Sequence, residues 1–564
     1  MRHVVLILFL GSAAFLGTAS APSAPAAAQA DPHAPAWARV AEFATARMRE
    51  ANTPGLTLAI TSRERTLHVA TFGFANVHAK RPLTQDTLFE IGSISKSFTA
   101  VALLQLRDEG RFDPRAPITT YLPWFSIRSA YAPITGHDLM THTAGLPRDR
   151  DDVPSSKYQA YALRERETGY APGARSNYSN VGYQVLGYVL EAIDRKPYAQ
   201  AIEERILRPL GMTASAAQFT HEMRPRLAVG YERMYDDRPS HPAHPLVPAT
   251  WLEYAAGDGS IVSTAADMAA YARMLLARGA GPEGARILSE RGFAALTQRA
   301  AASGDKAWYG YGMMTLEREG RTLLAHSGGM VGYASMLVAD PEAGVAAVVM
   351  VNGPGSPGAV AHFAVVAARA AVTGAPLPDL PEPTDPAIVE NGAEYAGTYT
   401  SGGRTLVLKS DPPLLGVPSD RGLMLIEGRG RDTFYVNDPA WRLFLLRFER
   451  ENGRVIGFSH GGDWYARDGH EPVTAPAHPK AWNAYPGHYR TTHAWFNNFR
   501  IVVRRGALYL ISPSGGETKM EALGPGLFKE AGMSAERLRF DSVVDGQALR
   551  ANLSGVDYYR VFTP

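Results

Sequence analysis

Phe89-Glu90-Ile91-Gly92-Ser93-Ile94-Ser95-Lys96-Ser97-Phe98-Thr99 is the stretch on which the reading of this chain turns. From Ser95 to Asp108 the pattern is helical and apolar on most faces (Phe98, Val101, Leu103, Leu104, Leu106), and Gly110 ends it. A helix apolar nearly all round is a buried one. If Ser93 opens this helix, Lys96 lies one turn later on the same face. A serine hydroxyl is a poor nucleophile near neutral pH and needs a base within hydrogen-bond reach. The helix N-terminus favours negative charge developing near Ser93, and a lysine buried beside it is a candidate proton acceptor. Alone, S-x-x-K is a weak signal. Ser303-Gly304-Asp305-Lys306 fits it in a polar loop with no helix behind.

Two further patterns accompany the first. Tyr178-Ser179-Asn180 stands just before a helical run over Gly182–Ile193. A tyrosine close to an ammonium can relay a proton, and the asparagine amide can hold a substrate carbonyl. His326-Ser327-Gly328-Gly329 ends a strand pattern. A strand edge there can present side chains to a substrate carboxylate, and the N–H near Gly329 can pair with that of Ser93 as an oxyanion hole. Each pattern also has a copy elsewhere, at Tyr435-Val436-Asn437 and His460-Gly461-Gly462. What carries weight is the order. The three fall in one mixed α/β region, each on the element its chemistry requires: helix start, loop before a helix, strand end.

With these residues in view, the chain resembles the class C β-lactamase-like serine hydrolases, a family of penicillin-binding proteins, D,D-carboxypeptidases, D-aminopeptidases and esterases. Phe89–Thr99 resembles its first motif. Ile134-Thr-Gly-His-Asp-Leu-Met-Thr-His142-Thr-Ala-Gly-Leu-Pro147, Pro172-Gly173 leading into Tyr178-Ser179-Asn180, and Gly257-Asp258-Gly259-Ser-Ile-Val-Ser-Thr264 resemble later stretches. The resemblance covers roughly residues 38–370. It implies an α+β fold: an antiparallel sheet flanked by helices, plus a helical subdomain, with the site in the cleft between. It also implies a two-step acyl-enzyme path with no metal and no cofactor. Carried over by position, Ser93 is the nucleophile and Lys96 and Tyr178 the acid/base pair. Asn180 positions substrate, and His326, Ser327, Gly328 and Gly329 form the third substrate-binding motif, with His326 in its cation position. Class C β-lactamases carry K-T-G there. A histidine is only partly charged near neutral pH, so efficient β-lactam hydrolysis is not expected.

Outward from the motifs, strand-like runs at Leu56–Ser62 and Thr66–Val77, and again at Thr322–His326, Ala334–Ala339 and Val345–Val351, predict one sheet built from both ends of a region spanning 31–374. A helix is expected over Ala265–Leu276. Five prolines between Ala375 and Pro386 mark a linker, 375–388. Beyond it short strands dominate and the chain repeats with a period of about 90 residues. Tyr395-Ala-Gly397-Thr-Tyr399 returns as Tyr485-Pro-Gly487-His-Tyr489, Leu446-Arg-Phe448 as Leu538-Arg-Phe540, Asn452-Gly453 as Asp545-Gly546, and Asp463-Trp-Tyr465 as Asp557-Tyr-Tyr559. Two small antiparallel β units are expected, 389–470 and 483–564, joined by a second linker, 471–482. They resemble the lipocalin-like barrels that follow such hydrolase domains in D-aminopeptidase-type proteins. The Pro/His-rich Asp237–Thr250 stretch reads as a lid over the site or a solvated loop, with the loop preferred.

The N-terminus carries Arg2 and His3, then an apolar run to about Leu16, then Ala28-Gln29-Ala30. That layout predicts a cleavable signal peptide over 1–30 and a secreted, periplasmic protein with no membrane span after cleavage. The absence of cysteine excludes disulfides, thiol catalysis and iron–sulfur clusters. A net charge of +2 without long basic runs gives no sign of nucleic-acid binding. The sequence carries no reading of oligomeric state.

The expected partner is a small-molecule or peptide substrate: a short D-amino-acid peptide or amide, or a small ester. One rival enzyme pattern, Gly457-Phe-Ser459-His-Gly461, lacks the strand–turn–helix that an α/β-hydrolase elbow needs. His241-Pro-Ala-His244 is broken by proline and reads as loop rather than metal site. The alternative from another class is a non-catalytic penicillin-binding or peptidoglycan-sensing module on the same fold.

Overall fold

Seven apolar residues in a row, Val345 to Val351, form a strand whose two faces lie in different cores. Val345, Ala347, Val349 and Val351 pack with Leu56, Leu58 and Ile60 of the strand paired to it, while Ala346, Val348 and Met350 point the other way. A strand reads as continuously apolar when both faces are covered, and here both are. The helices Ala34–Ala51 and Pro357–Thr373 cover one face, with the rings of Phe43 and Phe363 4.5 Å apart. The helices Ser95–Asp108 and Ala265–Leu276 belong to the core on the other. The computed structural model describes residues 31–147, 155–420, 422–470 and 476–562. The expected signal peptide, most of the loop Asp149–Ser156 and the start of the second linker lie outside the described residues.

The sheet has nine antiparallel strands. In spatial order they are Arg81–Pro82, Thr66–Asn76, Gly55–Ser62, Val345–Val351, Tyr333–Asp340, Arg321–Met330, Met314–Arg318, Ala307–Tyr309 and Ala301–Gly304. Both chain ends of the region thus build one sheet, as the strand patterns predict. Between them lies a helical layer that includes Gly136–Met140, Ser156–Ala162, Asn180–Asp194 and Tyr198–Ile202. The Ser303–Lys306 copy of the first motif is not a loop but the exposed turn of the edge hairpin Ala301–Gly304/Ala307–Tyr309.

Gly374 closes the helix Pro357–Thr373 in the left-handed conformation, and the proline linker follows without regular structure until about residue 385. The first β unit is a nine-stranded sheet running from Gly422–Leu425 through Gly397–Ser401 to Glu427–Gly430. Its two edge strands are separated in sequence by Ile426 alone, so the sheet curls almost to closure. The second unit is a closed eight-stranded barrel, from Gly487–Arg490 to Val556–Val561.

The repeat has a physical basis. Tyr399 and Tyr489 each donate from the buried hydroxyl to the carbonyl of the tyrosine four residues earlier, at 2.7 and 2.8 Å. Phe448 and Phe540 each pack on that earlier ring. One pairing in the sequence reading is off by a residue. Arg467 faces Tyr399 in register as Arg560 faces Tyr489, so Tyr465 matches the buried Tyr558, and Tyr559 points outward. Both arginines donate to the carbonyl inside the Tyr-x-Gly turn, Ala396 in one unit and Pro486 in the other.

The Asp237–Thr250 stretch with its flank is neither lid nor solvated loop; it brackets both β units. Asp236 accepts from Arg490 (3.0 and 2.5 Å) and Asn497 (2.6 Å), and Asp237 lies 3.4 Å from Arg500. His241 meets Glu427 at 2.7 Å and Asn437 at 3.2 Å. Ser459 of the rival G-x-S-x-G lies buried on the strand Arg454–His460, with no helix after it.

Candidate active site

Gly92–Ile94 forms a single 3-10 turn, and the α-helix proper begins at Ser95. Ser93 sits on that turn, half-buried at the mouth of the cleft. The helix behind it is polar as well as apolar: Ser95, Lys96, Ser97 and Thr99 are all fully buried. Each hydroxyl finds a partner, as buried polar groups must. Ser95 Oγ accepts from Ile261 N–H at 3.1 Å, Ser97 Oγ donates to Ile94 O at 2.7 Å, and Thr99 Oγ1 donates to Gly257 O at 2.6 Å. The bonds of Ser95 and Thr99 lock the helix behind Ser93 to the Gly257–Ile261 segment.

Lys96 reaches back one turn, as its spacing predicts. Its Nζ lies 2.9 Å from Ser93 Oγ and donates to Asn180 Oδ1 at 2.6 Å and to the carbonyl of Asp258 at 2.8 Å. The ring centre of Tyr178 lies 4.9 Å from the same Nζ. Tyr178 stands on the loop before the helix Asn180–Asp194 and is 41 % exposed, so its ring faces both lysine and cleft. Ser179 caps that helix by accepting from Gly182 N–H.

The third motif closes the cleft from the sheet. Met314 pairs with Ala325, and beyond that point the strand Arg321–Met330 has lost its neighbour. His326 to Met330 remain paired on one side only, to Tyr333–Leu337. The free edge lies on the turn that carries Ser93. A side chain at Gly92, where φ is +53°, would meet the Gly329 backbone at 2.6 Å. One at Gly328 would run into the Ile91 carbonyl. Ser327 and Gly329 are exposed to the cleft. Such an edge can offer backbone N–H groups to a developing oxyanion.

His326 differs from its sequence-based expectation. Its ring is buried, Tyr309 donates to Nε2 at 2.8 Å, and Nδ1 donates to the Ser327 carbonyl at 2.6 Å. Burial, with a lesser push from the Lys96 charge, brings its pKa down to about 4. The histidine is therefore neutral at pH 7 and not a cation.

Three groups that the motif reading left without a role complete the site. His142 is buried between the rings of Tyr178 (4.2 Å) and Tyr309 (4.6 Å). Its Nδ1 accepts from Ser179 N–H, and burial pushes its pKa well below the usual range. Asp258 is buried behind Lys96, its carboxylate held by Tyr254 at 2.9 and 3.1 Å. Arg175 stands on the lip and donates to the Met533 carbonyl of the second β unit. Beside Tyr178, a cleft of about 340 Å³ is lined by His142, Arg175, Asn177, Ser303 and Tyr309. Among the described residues no group of His, Asp and Glu could hold a metal ion.

The family model described as Beta-lactamase matches residues 40–371. Penicillin-binding protein 4 of Amycolatopsis lactamdurans is 28% identical over 320 residues, which cover 54% of this chain and 82% of that protein. Protein Rv1367c of Mycobacterium tuberculosis is 31% identical over 266 residues, covering 42% of this chain and 65% of the relative. The octameric penicillin-binding protein homologue from Pyrococcus abyssi superposes with a TM-score of 0.55 at 24% identity, over 76% of this chain and all of the other, a likeness of fold. From its strand order to the turn that carries Ser93, the chain belongs to the beta-lactamase family of serine hydrolases.

Proposed function

We propose that this protein is a secreted hydrolase that acts through an acyl-enzyme on Ser93, cleaving short D-amino-acid-containing peptides or amides, or small esters. The carrying observation is Lys96 Nζ, whose three neighbours are Ser93 Oγ, Asn180 Oδ1 and the Asp258 carbonyl. Two of these can only accept, so they take two N–H groups. With the side-chain carbon Cε filling one tetrahedral direction of the nitrogen, the remaining one points at Ser93. It either donates a third N–H to Oγ or turns a lone pair toward the serine O–H. That is the geometry of a proton switch.

In this reading Ser93 Oγ attacks the substrate carbonyl as its proton passes to Lys96 or Tyr178. The oxyanion is met by N–H groups of Ser93 and the free edge near Gly329. The proton then goes to the leaving group, and water repeats the sequence to release the acid. The Asn180 side-chain amide holds a substrate carbonyl. A neutral His326 leaves the third motif without a fixed positive charge, which supports weak handling of β-lactams, whose carboxylate wants a cation.

The test is intact mass after incubation with a fluorophosphonate and, separately, a penicillin, each beside Ser93→Ala. An adduct on the wild type and none on the variant is expected, and the longer-lived adduct points to the favoured acyl group. No adduct from either reagent on folded protein would overturn the catalytic reading.

A further inference from the structure

Asp258 is a carboxylate placed where few are tolerated. It is buried, and an unpaired buried carboxylate is strongly disfavoured. A nearby cation and hydrogen bonds from Tyr254, Gln184 and its own backbone N–H offset that. Tyr254 donates its hydroxyl to both carboxylate oxygens and is itself met by Gln184 Nε2 at 3.0 Å. The cation whose field acts on the carboxylate is Lys96, which is bonded to the carbonyl of the same residue. Burial still raises the Asp258 carboxyl above its ordinary range. The remaining titratable neighbours do not supply countercharge. Tyr198 and Tyr188, which also feel Asp258, are held protonated by burial. Around Lys96 the rings of Tyr178 and Tyr183 face Nζ, and His142 and His326 are neutral. The pocket therefore holds one lysine and one carboxylate, and Lys96 Nζ meets both Ser93 Oγ and the backbone carbonyl of Asp258.

We propose that Asp258 is the positioning residue that decides whether Lys96 carries a proton, and so whether Nζ presents an N–H or a lone pair to Ser93. With the carboxylate ionised, Lys96 is held as ammonium, the form that serves as acid toward a leaving group. The lone-pair form, able to take the serine proton, then appears only as pH rises. Tyr254 sets the strength of this control, because its hydrogen bond favours the ionised carboxylate. Asp258 touches neither substrate nor Ser93 and acts through Lys96 alone. The inference rests on Ser93 being the acylated residue.

The experiment is the pH profile of Ser93 acylation, followed as the initial rate of fluorophosphonate labelling in the full chain, for wild type, Asp258→Asn, Asp258→Glu and Tyr254→Phe. Removing the negative charge makes the lysine release its proton more easily. The acid limb of the profile in Asp258→Asn is therefore expected to move to lower pH by about one unit, the lower end of what a nearby charge does. Tyr254→Phe, which loosens the ionised carboxylate, is expected to move it the same way by less, and Asp258→Glu to return it toward wild type. A merely structural role would lower the rate at every pH and leave the limb in place. An unmoved limb in Asp258→Asn, or in Tyr254→Phe should the former not fold, overturns the proposal. Absence of labelling in the wild type itself would instead sink the serine reading on which it rests.

Discussion

At the scale of single residues, burial rather than residue type decides the charge of this site. His326 occupies the position where the family resemblance implies a cation, yet burial holds it neutral down to about pH 4. Glu90, three residues before Ser93, is equally enclosed, and desolvation lifts its pKa to about 8. The two have opposite consequences. Below the ordinary histidine range the unfolded chain binds a proton that folded His326 refuses, so stability falls as pH drops from about 6.5 toward 4. Folded Glu90 keeps a proton that the unfolded chain releases, so stability falls as pH rises from about 4.5 toward 8. Each effect amounts to a few kcal/mol at its limit, on the order of 1.4 kcal/mol per pH unit. His326→Gln is expected to flatten the acid side of a plot of denaturation midpoint against pH, and Glu90→Gln the alkaline side. Parallel curves for wild type and variant would refute the assigned burial. Neither effect is legible in the sequence, where both residues look like ordinary polar positions.

Among the elements, the close approach of strand to turn matters most. Gly328 and Gly92 let the free edge of Arg321–Met330 press on the backbone around Ser93, where any side chain would collide. Gly328→Ala is expected to push the edge away from Ile91. The acylation rate should fall by about 100-fold, the scale of a 1 Å misplacement, and stability by about 1–3 kcal/mol, as overpacking does. Labelling kinetics and a denaturation curve on one sample separate the two losses. A variant labelling at the wild-type rate would show that the oxyanion donors lie elsewhere. The elements themselves were readable. Ser95–Asp108, Ala265–Leu276 and Val345–Val351 have the bounds their patterns predict. These segments are long, strongly periodic or uniformly apolar, so local sequence and tertiary demand agree. Ser303–Lys306 reads as a polar loop in the sequence because the strands on either side of it are short.

For the whole molecule, the arrangement of the β units depends on a bracket that local sequence does not announce. Asp236 gathers Arg490, Asn497 and the Asn498 amide from the second unit, and His241 takes Glu427 and Asn437 from the first. Across the cleft lip, Arg175 reaches Met533 and Glu167 reaches Arg537. The Arg490–Asp236 pair is partly exposed, so its loss should lower stability by only about 1 kcal/mol. Its effect on docking is the informative quantity. Asp236→Ala is expected to speed proteolytic separation of the second β unit while leaving Ser93 labelling by a small fluorophosphonate unchanged. Unaltered cleavage would mean that contacts other than the bracket carry the interface.

What the sequence determined by itself was what short-range chemistry can specify. It placed Ser93 and Lys96 one helical turn apart, set Tyr178 before a helix and the His-Ser-Gly-Gly run on a strand, and built two related β units from one repeated pattern. Each of these depends on periodicity or on neighbours within a few residues. Only the tertiary structure decided the rest: that His326 is neutral, that a strand edge freed by the end of its neighbour faces Ser93, that the Asp258 carbonyl meets Lys96, and that a proline-rich loop holds the β units. Those properties come from desolvation and from contacts between residues 84 to 254 positions apart. The packed fold creates both, and no local pattern encodes them.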